Sequence, residues 1–144
     1  MTSFLAVTDL QEAGCQAATQ RLPLVVYMAR TDCTFCRRLE GDVLRPLIAA
    51  GVLEGRAIYV QLLLDADTPI VNFDGTVTSA EAIAEAHGGA LTPTFLFLDG
   101  AGGEIAPPLV GYNGSEFYSA YFERRLQQAA PDISSPDCQA QPHP

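Results

Sequence analysis

The chain has 144 residues, 48% of them hydrophobic, so it is long enough for one domain with an ordinary apolar core. Its 17 acidic and eight basic residues give a formal net charge of −9, which argues against binding to nucleic acid or to an anionic membrane surface. No apolar stretch approaches the length of a membrane span, so membrane insertion is not expected.

Apolar residues recur with helical and strand periods in alternation, and Pro and Gly separate the segments. The alternation predicts an α/β fold, with a mixed sheet covered by helices on both faces. We expect one domain over residues 1–130 and a flexible Pro/Ser-rich tail over 131–144. The first predicted elements are a helix capped by Thr8 and ended by Pro23, a strand over 24–28, and a helix from Cys33 that Pro46 bends or shortens. A strand over 57–64 and a polar excursion over 65–75 follow, and then a helix opened by a capping box from Thr78 to Glu81. The last elements are strands over 94–98 and 104–110, joined by a hairpin turn, and a helix capped by Ser115.

The most informative motif is Cys33-Thr-Phe-Cys36, directly behind the first predicted strand. Two thiols three residues apart at a strand-to-helix junction can form a small disulfide and open it again. If Cys33 begins the helix, its sulfur lies near backbone N–H groups and the positive end of the helix dipole, which favour the thiolate. Arg37 is a further candidate activator, whereas the negative charge of Asp32 opposes it. Because Cys36 lies about one turn inward, it can displace whatever Cys33 has attacked, and the motif predicts thiol–disulfide exchange.

Alternatively, two closely spaced cysteines could supply half of the ligands of a zinc site. Such a site needs two more ligands at a suitable spacing, and His87, His143, Cys15 and Cys138 do not offer it. We therefore expect no metal, and we read His87 as a capping or surface residue. Cys15 and Cys138 could form a structural disulfide, but spacing alone does not reveal connectivity, so their pairing is left open.

With these elements in place, the chain resembles thioredoxin-fold proteins over about residues 5–128. Three pieces carry the resemblance: the CxxC motif after the first core strand, Thr92-Pro-Thr94 at the start of a later strand, and Val110-Gly-Tyr112 before the last helix. Within the superfamily it is most similar to bacterial periplasmic thioredoxins of the SoxW and DsbD C-terminal types. The resemblance implies a thioredoxin-like fold, with a central mixed sheet of four or five strands flanked by helices on both faces.

The resemblance also implies a substrate site around the cysteines. Pro93 is expected to be cis and to face the CxxC, and a cis bond costs far less before proline than elsewhere. Thr92 would then present free backbone groups to an extended substrate segment. From the local sequence alone, a trans proline at a strand start is the alternative. Phe35 either forms an apolar rim for a partner or packs inward. Cys33 and Cys36 are thus the expected catalytic pair, with Thr92, Pro93, Thr34 and Phe35 as the expected substrate-binding residues.

We therefore expect a protein-disulfide reductase that needs no organic cofactor and takes its electrons from a thiol electron-donor protein. Its substrates are expected to be disulfide-containing proteins, and the protein is expected to be a monomer. A DsbA-like thiol oxidase and a non-enzymatic thioredoxin-fold binding or chaperone module are the alternatives. Residues 1–7 lack the basic region of a signal peptide, which leaves a cytoplasmic protein or a chain whose leader is absent. The resemblance favours the periplasm.

Overall fold

The computed structural model describes residues 4–114 and 116–129. Helices and strands alternate along the chain as the sequence pattern predicts. In chain order, the elements are β1 Leu5–Ala6, α1 Leu10–Gln20, β2 Leu24–Ala29, α2 Thr34–Leu39, a π-helical segment Glu40–Leu44, α3 Arg45–Ala49, β3 Ile58–Leu63, β4 Ile70–Val71, β5 Val77–Thr78, α4 Ala80–Ala86, β6 Thr94–Leu98, β7 Glu104–Val110 and α5 Tyr118–Ala129.

The central sheet is mixed and has five strands in the order β1-β3-β2-β6-β7. Strands β1, β3 and β2 are parallel, whereas β6 runs antiparallel to both β2 and β7. The predicted α/β class and mixed sheet are confirmed. The fifth strand is β1, which pairs with β3 through Leu5 and Val60.

Two apolar clusters pack on opposite faces of this sheet, because successive strand residues point to opposite sides. One cluster joins α2, the π-helical segment and α5 to the sheet around Tyr27, Phe95 and Phe122. The other joins α1 and α4 to the sheet around Val26 and Leu96. Helices therefore cover both faces, as predicted, and β2 lies in the middle with every residue buried.

Pro46 changes the helix that follows the CxxC motif in a specific way. A proline inside a helix lacks the N–H donor, and its ring clashes with the carbonyl group four residues earlier. Here the helix widens into a π-helical turn over Glu40–Leu44 and resumes as α3, with Pro46 in its first turn. The sequence predicted a bend or a shortening, and the structure instead shows a local widening.

Several boundaries differ from the predicted ones. The N-cap of α1 is Asp9, not Thr8, because the Asp9 carboxylate accepts a hydrogen bond from the N–H of Glu12. The N-cap of α4 is likewise Ser79, whose hydroxyl accepts from the N–H of Ala82, so Thr78 belongs to β5. The polar excursion contains β4, which pairs with β5 in a separate two-stranded sheet.

One edge of the central sheet is β7, which contains Pro107 and Pro108. The guanidinium of Arg125 on α5 donates to the carbonyl of Pro107 at 3.0 Å. Within the part of the chain that the structure describes, no helix is long and apolar enough to cross a membrane. The predicted cap Ser115 and the predicted tail over 131–144 lie outside the described residues, and the domain boundary at 130 stays a prediction.

Candidate active site

The sheet topology brings the CxxC motif and the Thr92–Pro93 segment together. Strand β2 ends at Ala29, and the chain then leads into Cys33. Because β2 and β6 are antiparallel, with Met28 opposite Thr94, the end of one strand lies beside the start of the other. Two segments about 60 residues apart in the sequence therefore meet at one edge of the sheet.

Cys33 is the N-cap of α2. Its backbone is extended, and its Sγ accepts a hydrogen bond from the N–H of Cys36 at 3.1 Å. The first N–H groups of a helix have no partner within the helix, so a side-chain acceptor at the N-cap satisfies one of them. A thiolate is a better acceptor than a thiol, so this contact favours the reactive form of Cys33.

Cys33 and Cys36 form a disulfide, with their Cα atoms 5.2 Å apart. The two cysteines differ in accessibility: Cys33 is partly exposed, whereas Cys36 is completely buried in the core cluster that contains Leu39. An external partner can therefore reach Cys33 but not Cys36. The pair has the asymmetry that attack followed by internal resolution requires.

The Thr92–Pro93 peptide bond is cis. The hydroxyl of Thr92 lies 3.5 Å from Cys33 Sγ and is oriented as a donor to it. The carbonyl of the buried Pro93 accepts from the N–H of Gly111 at 2.7 Å, which fixes this segment against the end of β7. The structure thus brings Thr92 and Pro93 to the cysteine pair.

Phe35, between the two cysteines, points outward and is 53% exposed. The sequence left open whether Phe35 forms an exposed rim or packs inward, and in the structure it is exposed. The guanidinium of Arg38 lies over the Phe35 ring at 5.8 Å and over the Tyr112 ring at 6.0 Å, within cation–π range. Thr34 is also exposed and begins α2. Leu91, just before Thr92, is 61% exposed, so apolar side chains lie beside the disulfide.

The loop that leads into Cys33 is held by Asp65, which follows β3. The Asp65 carboxylate accepts from the backbone N–H of Thr31 at 2.9 Å and also from the Thr31 hydroxyl. These hydrogen bonds, from the Thr31 side chain first, lower the pKa of Asp65, because they stabilise its charged form. The sequence carries no signal for this role of Asp65, since the contact joins residues that are far apart in the chain.

A polar cluster lies behind Cys36. The hydroxyl of Tyr27 donates to Glu40 Oε2 at 2.9 Å and lies 3.4 Å from the carbonyl oxygen of Cys36. Arg37 Nη1 lies 3.3 Å from Glu40 Oε1, and its Nη2 donates to the carbonyl of Arg30 at 2.8 Å. Arg37 is thus bound to groups other than the Cys33 sulfur, which does not favour the predicted activating role. Burial, followed by the hydrogen bond to Glu40, raises the pKa of Tyr27 well above its usual range.

The geometry agrees with comparisons of the sequence. A family model described as a thioredoxin-like domain matches residues 10–126, which covers most of the chain and includes both cysteines and Pro93. The chain belongs to the thioredoxin-like family. Comparison with curated protein sequences gave no match.

Solved structures of other thioredoxin-fold proteins superpose on this thioredoxin-like chain. A thioredoxin from Thermus thermophilus is 23% identical, with a TM-score of 0.61 over 89% of this chain and 87% of that one. The C-terminal domain of DsbD from Neisseria meningitidis, in its oxidised form, is 19% identical, with a TM-score of 0.59 over 85% and 99% of the two chains. The periplasmic thioredoxin SoxS from Paracoccus pantotrophus is 19% identical, with a TM-score of 0.50 over 74% and 98%. At these identities the likeness concerns the fold, and it confirms the resemblance predicted from the motifs.

The thioredoxin-like fold and the Cys33–Cys36 disulfide together support thiol–disulfide oxidoreduction as the general activity of this protein. Among residues 4–114 and 116–129, no three His, Cys, Asp or Glu side chains form a group that could hold a metal ion. His87 is the C-cap of α4. Cys138 and His143 lie outside the described residues, so the pairing of Cys15 with Cys138 stays a prediction.

Proposed function

We propose that this thioredoxin-like protein reduces disulfide bonds in other proteins. The observation that carries the proposal is the asymmetry of the cysteine pair. Cys33 is partly exposed, and its sulfur faces two hydrogen-bond donors, the N–H of Cys36 at 3.1 Å and the hydroxyl of Thr92 at 3.5 Å. Cys36 is fully buried behind it. This is the arrangement expected of one attacking and one resolving sulfur.

The reaction begins with the reduced dithiol. The Cys33 thiolate attacks one sulfur of the partner's disulfide, forms a mixed disulfide and expels the other sulfur of the partner as a thiolate. The Cys36 thiolate then attacks Cys33 Sγ, and the bond between Cys33 and the partner breaks. The partner has gained two electrons and two protons, and the Cys33–Cys36 disulfide has formed. A thiol electron-donor protein returns the pair to the dithiol by the reverse exchange, and no organic cofactor takes part.

The substrate is proposed to lie along the cis-proline segment. An extended segment of the partner would pair with the backbone of Thr92 by strand addition. Thr34, Phe35 and Leu91 are exposed around the sulfur, and they offer apolar contact to side chains next to the partner's disulfide. Exposed apolar side chains beside a reactive thiol favour recognition of a protein over recognition of a small thiol.

We propose the reducing direction and a periplasmic location. Asp32 is exposed directly before Cys33, and its negative charge opposes the stabilisation of the thiolate. A less stabilised thiolate gives a less oxidising pair. Two of the structures with the same fold are, by their names, a periplasmic thioredoxin and a DsbD C-terminal domain, which supports the compartment. A DsbA-like oxidase is the alternative direction, and the cytoplasm is the alternative location.

Insulin reduction by dithiothreitol tests the activity. We expect the native protein to accelerate it, and a Cys33→Ser variant to leave the uncatalysed rate unchanged. A Cys36→Ser variant should instead accumulate a mixed disulfide with insulin. Equal rates for the native protein and Cys33→Ser would contradict the proposal and favour a binding module.

The reduction potential of the Cys33/Cys36 pair, measured by equilibration with glutathione, tests the direction. We expect a value near that of thioredoxins, about −270 mV. A value near about −120 mV, typical of DsbA, would reverse the proposed direction.

A further inference from the structure

A positive charge lies beside the exposed Phe35 ring. Arg38 is exposed and comes three residues after Phe35 on α2, and its guanidinium is 5.8 Å from the centre of the Phe35 ring. Side chains three residues apart on a helix are neighbours, so the two residues form one surface. Because Phe35 lies between Cys33 and Cys36 in the chain, this surface adjoins the disulfide.

Arg38 also lies beside the segment that supports the cis-proline. Its guanidinium is 6.0 Å from the centre of the Tyr112 ring. Tyr112 directly follows Gly111, whose N–H donates to the carbonyl of Pro93 at 2.7 Å. The guanidinium is therefore next to both borders of the proposed substrate site, the helix of the CxxC motif and the chain beside Pro93.

The hydrogen-bonding capacity of Arg38 is not used within the protein. A guanidinium has five N–H donors, and cation–π contacts leave most of them available to an acceptor. Within the described ranges of the chain, no carboxylate forms an ion pair with Arg38 and no acceptor takes a hydrogen bond from it. Arg38 is thus a positioned positive charge with unused donors at the edge of the site.

The other two arginines near the motif differ from Arg38 in this respect. Arg37 pairs with Glu40 at 3.3 Å, and Arg30 pairs with Glu81 at 3.0 Å. A carboxylate therefore offsets the charge of each of these two side chains. An acidic group that approaches the disulfide meets an unpaired cation at Arg38.

Two exposed carboxylates, Asp32 and Asp42, are also close to the motif in the chain. Asp42 accepts a hydrogen bond from the hydroxyl of Tyr112 at 2.9 Å, and it weakens the field of Arg38 without pairing with it. Asp32 precedes α2, whereas Arg38 lies one turn inside that helix. The two charges thus belong to different ends of the site, so the effect of Arg38 depends on where the partner carries its own charge.

We propose that Arg38 selects protein partners that carry an aspartate or glutamate one or two residues from the attacked cysteine; this inference rests on the proposed function. A guanidinium binds a carboxylate through two parallel hydrogen bonds. Residues of an extended segment are about 3.3 Å apart, so a side chain one or two positions from the partner's cysteine comes within reach of Arg38. Because two rings restrict the Arg38 side chain before binding, less conformational entropy is lost when the carboxylate arrives.

The test uses short peptides with blocked ends and one cysteine, held as a mixed disulfide with pyridine-2-thiol, which carries no charge. The Cys33 thiolate of the reduced full chain attacks the peptide sulfur, and a disulfide between Cys33 and the peptide forms. The bond to the pyridine sulfur breaks, and pyridine-2-thiolate leaves with the electron pair and takes a proton from solvent. The absorbance of this product gives the second-order rate constant.

Paired peptides carry glutamate or glutamine at one or two residues before or after the cysteine, so each pair differs in one charge. We expect the glutamate peptide to react about three- to fivefold faster than its glutamine counterpart at one of these positions or more, which is the size of a well-placed exposed ion pair. Arg38→Gln should lower this ratio to one or below, since the remaining net negative charge of the chain repels an acidic peptide. High salt should also lower the ratio for the native protein.

Arg124 provides a matched control. Its guanidinium lies 5.9 Å from the centre of the Tyr121 ring on α5, so Arg124→Gln removes the same charge from a similar contact on another helix and should leave the ratio unchanged. Arg38→Lys keeps the charge but not the fork of donors, so it should retain part of the preference. A ratio taken within one variant cancels any general change in the reactivity of Cys33.

The outcomes distinguish this inference from the proposed function. A native ratio of one at every position, or a ratio that persists in Arg38→Gln, would overturn the inference and leave the proposed function intact. Oxidised glutathione serves as a small disulfide with carboxylates; a loss of its rate in Arg38→Gln as large as the loss for the glutamate peptide would contradict selection of a protein partner. A native chain that reacts with every peptide no faster than Cys33→Ser would refute exchange at Cys33, and the role of Arg38 with it.

Discussion

The contact between Thr92 and Cys33 makes the most direct prediction about reactivity. The Thr92 hydroxyl lies 3.5 Å from Cys33 Sγ, and it stabilises the thiolate more than the thiol. A Thr92→Val substitution keeps the shape of the side chain and removes the donor. A hydrogen bond to a charged group contributes about 1.5–3 kcal/mol, and the long distance to sulfur places this one at the lower end. Since one pKa unit corresponds to about 1.4 kcal/mol, the pKa of Cys33 should rise by about one unit.

The assay is the rate of alkylation of Cys33 by iodoacetamide as a function of pH. A Cys36→Ser background isolates Cys33, and mass spectrometry of the peptide that contains Cys33 excludes contributions from the other cysteines. At pH values at least one unit below the pKa of Cys33, the Thr92→Val variant should react about tenfold more slowly, because a one-unit rise in pKa lowers the thiolate fraction there about tenfold. Well above the pKa, both rates should reach the same plateau. A control variant, Thr19→Val, makes the same change on an exposed position of α1 and should leave the curve unchanged.

A titration curve of Thr92→Val that overlaid the curve of the protein with Thr92 would refute this prediction. A shift of the curve to lower pH would refute it as well. Either result would show that the hydroxyl does not stabilise the Cys33 thiolate. The N–H of Cys36 would then be the only one of the two donors that acts on the sulfur.

Two further predictions concern stability. A Cβ at Gly14 would lie 2.2 Å from the carbonyl oxygen of Gly100, so Gly14→Ala should lower the free energy of unfolding by about 1–3 kcal/mol in urea titrations. Gly41→Ala meets no atom within 4 Å and should be neutral or stabilising, and similar losses for both variants would contradict this account. The Arg56 guanidinium lowers the pKa of Glu123, so their ion pair stabilises the fold at neutral pH and is lost as the pH falls through that lowered pKa. Because Glu123 is 43% exposed, Glu123→Gln should lower the free energy of unfolding by only about 0.5–1 kcal/mol at pH 7. In strong acid the native protein and the variant should have the same unfolding curve. A difference that persists in strong acid would show that the ion pair is not its cause.

The main elements of the fold could be predicted because each carries a strong local signal. Two strands, Thr94–Leu98 and Glu104–Val110, have the predicted bounds. Turn residues flank both apolar runs and leave little choice of where each strand begins and ends. Strands β1, β4 and β5 were not predicted, because each has two residues and two residues have no measurable period. They exist only through pairing, of β1 with β3 and of β4 with β5, and pairing is not visible in a single segment.

The candidate site likewise contains parts that the sequence predicted and parts that it did not. The CxxC motif and the Thr-Pro-Thr segment are local patterns, and the sequence indicated both. The hydrogen bonds from Tyr27 to Glu40 and from Thr31 to Asp65 join residues on different elements, so only the folded chain reveals them. A tyrosine on a buried strand carries no sequence signal for the partner of its hydroxyl. The shift of the helix N-caps to Asp9 and Ser79 has a related cause, since neighbouring Thr, Asp and Ser residues are all acceptable caps and tertiary packing selects one.

The paired prolines of β7 have a consequence for how this molecule meets other chains. An outer strand with free N–H groups invites a second polypeptide to lengthen the sheet, which is a common route to aggregation. Pro107 and Pro108 have no N–H to give, and Arg125 already occupies the Pro107 carbonyl. A protein that reduces disulfide bonds in other proteins, as we propose, would thereby avoid backbone pairing with them along this edge. In the proposed reaction, the partner's backbone would instead pair with the short stretch at Thr92, beside the reactive sulfur.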